Sequence, residues 1–180
     1  MLISAFCYII FMTSSYLTRA IRFPNQTATQ IIRLIERKNL VFNAIAVRGV
    51  SGIYMGAIVS ARLKMPTVIV RKESEKIDSH AHTMVEWCEE RSPLFGMKYL
   101  IIDDLISGGN TVLSIKNAIA QVANETMVKP ICVGVILYAH GRDSDEMESV
   151  CARQSNLVGS PVYMTEYVPW QEMDINKEFS

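Results

Sequence analysis

The chain has no surplus of charge. Lysine plus arginine and aspartate plus glutamate number 18 each in 180 residues, with only three histidines. Zero formal net charge excludes general nucleic-acid binding, which rests on neutralising phosphates, and leaves only local basic patches open. A long apolar run is also missing. Met1 to Met12 carries no charged side chain, but this stretch is too short to span a bilayer. A secretory leader would want a basic start and small cleavage residues, and neither is clear in this stretch. It reads instead as a buried strand or helix, with Met12 as an alternative start. The four cysteines, Cys7, Cys88, Cys132 and Cys151, show no close pairing, so reduced thiols and a cytoplasmic setting are expected. No Gly-Lys-Ser/Thr and no G-x-G-x-x-G is present, which removes the nucleoside-triphosphate loop and the dinucleotide fingerprint. Without repeats, low-complexity tracts or linkers, residues 1–180 suit one domain with a sizeable core.

The most informative segment is Tyr99-Leu100-Ile101-Ile102-Asp103-Asp104-Leu105-Ile106-Ser107-Gly108-Gly109-Asn110-Thr111. Four apolar residues fit a strand buried on both faces. Two carboxylates at its carboxyl end stand where open α/β folds bind ligands. The small-residue turn that follows offers hydroxyls and backbone N–H groups. A helical pattern with Val112, Ile115, Ile119 and Val122 on one face comes next. A turn at a helix N-terminus is an anion site. One segment therefore combines a phosphate cradle with two acids suited to hydroxyls or a cation.

Other elements arrange themselves around it. Thr27-Ala28-Thr29-Gln30 has capping-box spacing ahead of a helix ending near Asn39. Residues 41–47 read as a strand, Arg48 to Gly52 as a turn, and Ile53 to Lys64 as a helix whose Gly52, Gly56 and Ser60 allow close packing. Thr67 to Val70 is a further strand. The charged run Arg71 to Asp78 leads to a short helix around 81–90. Ile131 to Tyr138 is another buried strand, followed by a charged loop at 140–149 and a strand-like segment at 161–168. Alternating apolar strands and helices predict a parallel twisted sheet with helices on both faces. Right-handed crossovers put the strand ends at 47, 70, 104 and 138 on one rim.

The 99–111 segment resembles the signature of the type I phosphoribosyltransferases, with purine-type members most similar. Arg48-Gly49 resembles that family's pyrophosphate turn, and Arg71-Lys72 its adenine- and orotate-type members. The resemblance covers about residues 41–138. It implies a hood over the base built by the termini, about 1–25 and 139–180. It also implies transfer of ribose 5-phosphate from phosphoribosyl pyrophosphate to a nucleobase, a purine by preference, with release of pyrophosphate. Asp103 and Asp104 would then hold the ribose, and Ser107, Gly108, Gly109, Asn110 and Thr111 the 5′-phosphate. Arg48, Gly49, Arg71 and Lys72 would hold the pyrophosphate. Lys76, His80 and His82 would belong to a closing loop at 73–90. Mg²⁺ would be bound mainly through substrate phosphates and water rather than by a protein cage. No nucleic acid or membrane partner is implied, and a homodimer is.

The chain departs from the family pattern in two places. Gly108 stands where threonine or serine is usual, removing one hydroxyl donor. Ser107 stands where hypoxanthine-guanine members carry an aspartate, their proposed general base. A proton acceptor must come from elsewhere, or the reaction needs none. A non-catalytic sensor of phosphoribosyl pyrophosphate or nucleotides with the same fold is the alternative reading. Zinc at His80, His82 and Cys88 lacks a fourth ligand. Tyr163, Tyr167 and Trp170 could stack on a base, although core or dimer packing is the plainer role.

Overall fold

Alternation inside the apolar runs decides the layers. The computed structural model describes residues 15–72, 85–87, 96–124, 129–139, 144–166 and 175–177. Its first helices are α1, Ser15–Arg22, and α2, Pro24–Arg37. Strand β1, Ala44–Val47, leads into α3, Gly49–Leu63, and then β2, Thr67–Val70. Strand β3 is Val85–Trp87 and β4 is Lys98–Asp103. Helix α4, Asn110–Asn124, precedes β5, Ile131–Leu137; α5, Ser144–Val158, precedes β6, Val162–Met164. A short 3-10 turn lies at Ile175–Lys177.

Ala44, Ala46, Tyr99 and Ile101 point to the face covered by Val112, Ile115 and Ile119 of α4 and by Val150 and Val158 of α5. Ile45, Val47, Leu100 and Ile102 point to the other face, under Ile31, Leu34 and Ile35 of α2 and Met55 and Val59 of α3. Strands buried on both faces leave no polar side, which is why they read as continuous apolar runs. Each fully buried aliphatic side chain contributes about 1.5–3 kcal/mol.

The sheet order is β3-β2-β1-β4-β5-β6. All pairings are parallel except β2 with β3. The order reverses between β1 and β4. Their carboxyl ends therefore part and open a crevice at the rim, the place where such sheets take ligands.

Several expectations need correction. The helix expected around 81–90 is, in its described part, the antiparallel edge strand β3, with Val68 opposite Trp87 and Val70 opposite Val85. Buried Val85 beside half-exposed Glu86 follows the two-residue period of a strand. The charged loop expected at 140–149 is, from Ser144, the start of α5. Acidic Glu146 in its first turn suits a helix N-terminus, while Met147, Val150, Cys151 and Val158 reach the core. The capping box at Thr27 does not form. Pro24 starts the helix earlier, and the Thr27 hydroxyl donates to the Phe23 carbonyl at 2.8 Å. Proline's fixed φ suits a first helical position. The turn expected at 48–52 is already helix from Gly49. The strand-like segment expected at 161–168 is borne out in its described part as β6, which pairs in parallel with β5. Part of the region expected to build a hood is thus sheet edge and covering helix.

Gly52 and Gly56 let α3 lie close on the sheet, as expected. A methyl on Gly52 would come within 3.1 Å of the Ile102 carbonyl, and one on Gly56 would run into Val47. This packing brings the first turn of α3 beside the carboxyl end of β4.

Candidate active site

A cleft of about 430 Å³ opens at the crevice between β1 and β4. Arg48, Gly49, Val50 and Ser51 line it from the β1 side, and Asp103, Asp104 and Thr111 from the β4 side. Lys72, Tyr138 and Tyr54 complete its walls with Leu17, Ala20 and Ile21 of α1.

The β1 side is a direct strand-to-helix junction. Arg48 is extended, with φ −149° and ψ 143°, and Gly49 has φ +71°. Only glycine adopts that left-handed value without strain. The helix that starts here runs 15 residues with no acid in its first turn, so its N-terminal N–H groups and dipole favour an anion. Lys72 crosses over this turn: a methyl on Gly49 would lie 3.5 Å from its Cε and 3.7 Å from its Nζ.

The β4 side carries the acids. The Asp104 N–H donates to Asp103 Oδ1 at 3.0 Å, and the Leu105 N–H donates to Asp104 Oδ1 at 2.8 Å. Tyr138 and Ala139 N–H groups donate to the carbonyls of Asp103 and Asp104 at 3.3 and 3.1 Å. The pair is thus stitched to the end of β5 rather than hanging on a free loop. Asp103 is only 4% exposed. Burial, then the neighbouring Asp104 charge, pushes its carboxyl up to about 7, while Lys72 pulls the other way. Two close carboxyl groups with oxygens facing the cleft suit hydroxyl donors or a cation.

The turn after the acids begins a second 15-residue helix, α4. Gly109 has φ +77°, and a methyl there would meet Val158 and Leu157 of α5 at 3.2–3.3 Å. Leu113 N–H donates back to the Gly109 carbonyl at 3.0 Å. The N–H groups ahead of it are those that a helix start leaves for an outside acceptor. Ser107, Gly108, Asn110 and Thr111 are exposed, and Thr111 reaches the cleft.

The structure therefore brings together Arg48, Gly49, Lys72, Asp103, Asp104 and Thr111, with Ser107 to Asn110 on the adjoining turn. Arg71 goes elsewhere. Its Nε and Nη2 donate to Glu86 Oε1 on β3 at 2.8 and 2.7 Å, a half-exposed pair at the sheet edge. Lys76, His80 and His82 lie outside the described residues, as do Cys88, His140, Tyr167 and Trp170 and the stretch Met1 to Met12. Tyr163 packs on the core beside Gly134, with the Lys38 ammonium 6.0 Å from its ring centre; it takes the packing role. Among the described residues, no three His, Cys, Asp or Glu side chains gather as a metal cage, and no helix is long and apolar enough to cross a membrane.

Sequence reasoning missed Tyr138, whose hydroxyl donates to the Ser51 carbonyl at 2.9 Å and ties the two sides of the cleft. A hydroxyl at the carboxyl end of a strand on the shared rim was the available signal. It also missed the apolar wall of Leu17, Ala20 and Ile21, whose i, i+3, i+4 spacing marks one helix face.

Comparison with known proteins agrees with this geometry. The family model described as phosphoribosyl transferase domain matches residues 19–158. A hypoxanthine/guanine phosphoribosyltransferase of Methanopyrus kandleri is 30% identical over 106 residues, 56% of this chain and 56% of that protein. The matched stretch thus spans about half the length of that relative. The fold is similar to adenine phosphoribosyltransferase from Thermoanaerobacter pseudethanolicus (TM-score 0.54, 19% identity, covering 83% of this chain and 82% of that one). It is also similar to orotate phosphoribosyltransferase of Mycobacterium tuberculosis solved with 5-phospho-α-D-ribosyl 1-diphosphate (TM-score 0.51, 16% identity, 82% and 76%). The family match runs from α1 through α5 and takes in both turns and the acid pair, so the chain belongs to the phosphoribosyl transferase domain family.

Proposed function

We propose that this chain transfers ribose 5-phosphate from phosphoribosyl pyrophosphate to a nucleobase and releases pyrophosphate. One observation carries the reading. Two helix N-termini with left-handed glycines, Gly49 and Gly109, flank one cleft, and an acid pair stands between them. A substrate with a phosphate at one end, a diphosphate at the other and hydroxyls between them matches that order.

The N–H groups of 107–111 and the Thr111 hydroxyl would take the 5′-phosphate. Those at the start of α3, with Arg48 and Lys72, would take the pyrophosphate. Asp103 and Asp104 would accept hydrogen bonds from the ribose hydroxyls and favour positive charge developing at C1. Asp103 and Asp104 fit Mg²⁺ as acceptors next to substrate oxygens, and the ion when bound would neutralise leaving-group charge. Arg71 would join the pyrophosphate only by leaving Glu86.

A purine acceptor is the preferred reading. It rests on the sequence similarity to the hypoxanthine/guanine enzyme and on the apolar wall of Leu17, Ala20, Ile21 and Tyr54, which suits a flat ring. The test is incubation with phosphoribosyl pyrophosphate, Mg²⁺ and each common base, with nucleotide followed by chromatography. Purine nucleotide is expected, and no product from any base would refute the catalytic reading. Ser107 and Gly108, in place of an acid and a hydroxyl, favour one second reading: a sensor that binds the same substrate. Tight binding in calorimetry without turnover would favour it.

A further inference from the structure

Helix α5 presents Val150, Gln154 and Val158 along one face at i, i+4 and i+8. Val150 and Val158 are 7% and 1% exposed and belong to the sheet core. Gln154, between them, is 6% exposed. An amide in that position costs stability unless its polar atoms are bonded. Only half of this one is. Its Nε2 donates to the Ile106 carbonyl at 3.1 Å, while its Oε1 has no partner among the described residues. An apolar side chain of the same size would fill the stripe without that cost.

Ile106 is the last residue before the turn at 107–111. The exit of that turn is held by the same helix, because Gly109 abuts Leu157 and Val158. The helix that the turn starts is held too. Lys116 of α4 donates to the Val158 and Gly159 carbonyls at 2.8 and 3.0 Å and to Ser160 Oγ at 2.8 Å. Ser107 and Gly108, between the two anchor points, are exposed. We propose that Gln154 is a positioning residue for the phosphate-binding turn, retained for where it holds the Ile106 carbonyl rather than for the stability of the core. This rests on the assignment of 107–111 as the 5′-phosphate turn. Donors fixed in advance bind an anion without paying to be ordered, and the residues behind them set that order.

The test uses Gln154→Met, which keeps volume and removes the donor, and Gln154→Glu, which keeps shape. Calorimetry with ribose 5-phosphate and, separately, with pyrophosphate and Mg²⁺ reads the two ends of the cleft, and thermal melting reads the fold. Ribose 5-phosphate affinity should fall about tenfold in Gln154→Met and by less in Gln154→Glu, whose buried carboxyl when protonated still donates to the Ile106 carbonyl. Pyrophosphate affinity should stay within about twofold, and Gln154→Met should melt at or above the native temperature. Unchanged binding of both probes in folded Gln154→Met would overturn the proposal, as would equal weakening of both. If the native protein bound neither probe, the proposed function itself would fall.

Discussion

The turn after β1 and the turn after β4 use the same backbone device with opposite side chains. Each places a left-handed glycine, Gly49 at φ +71° or Gly109 at φ +77°, at the start of a 15-residue helix. The first turn passes from strand to helix through Arg48 alone and is crossed by Lys72. The second inserts residues 104–109 between β4 and α4 and opens with carboxylates. Helix N-termini attract anions at both. Adding cations suits a densely charged diphosphate. Adding acids makes room for a sugar beside a single phosphate. The asymmetry gives the cleft a direction, so a substrate of the proposed kind would lie in it one way round.

Removing the acids should have the largest effect. Asp103→Asn with Asp104→Asn keeps shape and removes charge, so turnover should fall by about 100-fold or more. Ribose 5-phosphate binding in calorimetry should weaken as well. A double variant with near-native turnover would remove the ribose role. Next comes the glycine pair. Gly49→Ala forces a side chain into left-handed backbone, at about 1–2 kcal/mol, and puts a methyl in contact with Lys72. It should weaken pyrophosphate about tenfold and spare ribose 5-phosphate. Gly109→Ala should do the converse, with a lower melting temperature because of its contact with α5. Equal losses at both ends from either change would mean that the turns do not act separately.

A pH titration gives a smaller effect and a sign. The Asp103 carboxyl is pushed up to about 7 by burial first and by Asp104 second. In the proposed role its ionised form is the acceptor, so ribose 5-phosphate affinity should fall as pH drops from 8 to 6. Stability should move the other way. The folded value lies above the ordinary carboxylate value, so the fold holds a proton that the unfolded chain has released. The ligand-free protein should therefore gain stability as pH falls through about 7 toward 4, and Asp103→Asn should flatten that rise in thermal melts. The smallest effect expected is that of Tyr138→Phe. Loss of the hydrogen bond to Ser51 should cost about 0.5–1.5 kcal/mol in chemical denaturation.

The acid pair and its turn were legible because their parts are contiguous. A doubly buried strand writes itself as an apolar run, and the residues it delivers follow at once. The β1 turn was legible in its residues but not in its form, since helix from Gly49 onward reads as turn when two glycines occur close together. Arg71 was placed on the correct rim, yet its engagement with Glu86 depends on β3, a three-residue strand too short for a period to show. Helix α5 was missed because its charged first turn resembles a loop and its apolar stripe is interrupted by Gln154. Tyr138 and the α1 wall reach the cleft only through tertiary packing, which spacing along the chain does not encode.

In the proposed function one cleft holds two separate anion sites with a ribose clamp between them. Calorimetric titration of ribose 5-phosphate into protein saturated with pyrophosphate and Mg²⁺ tests it most directly. Both should bind at once, with ribose 5-phosphate affinity within a few-fold of its value alone. Mutual exclusion of the two ligands would contradict it and reduce the cleft to a single anion site.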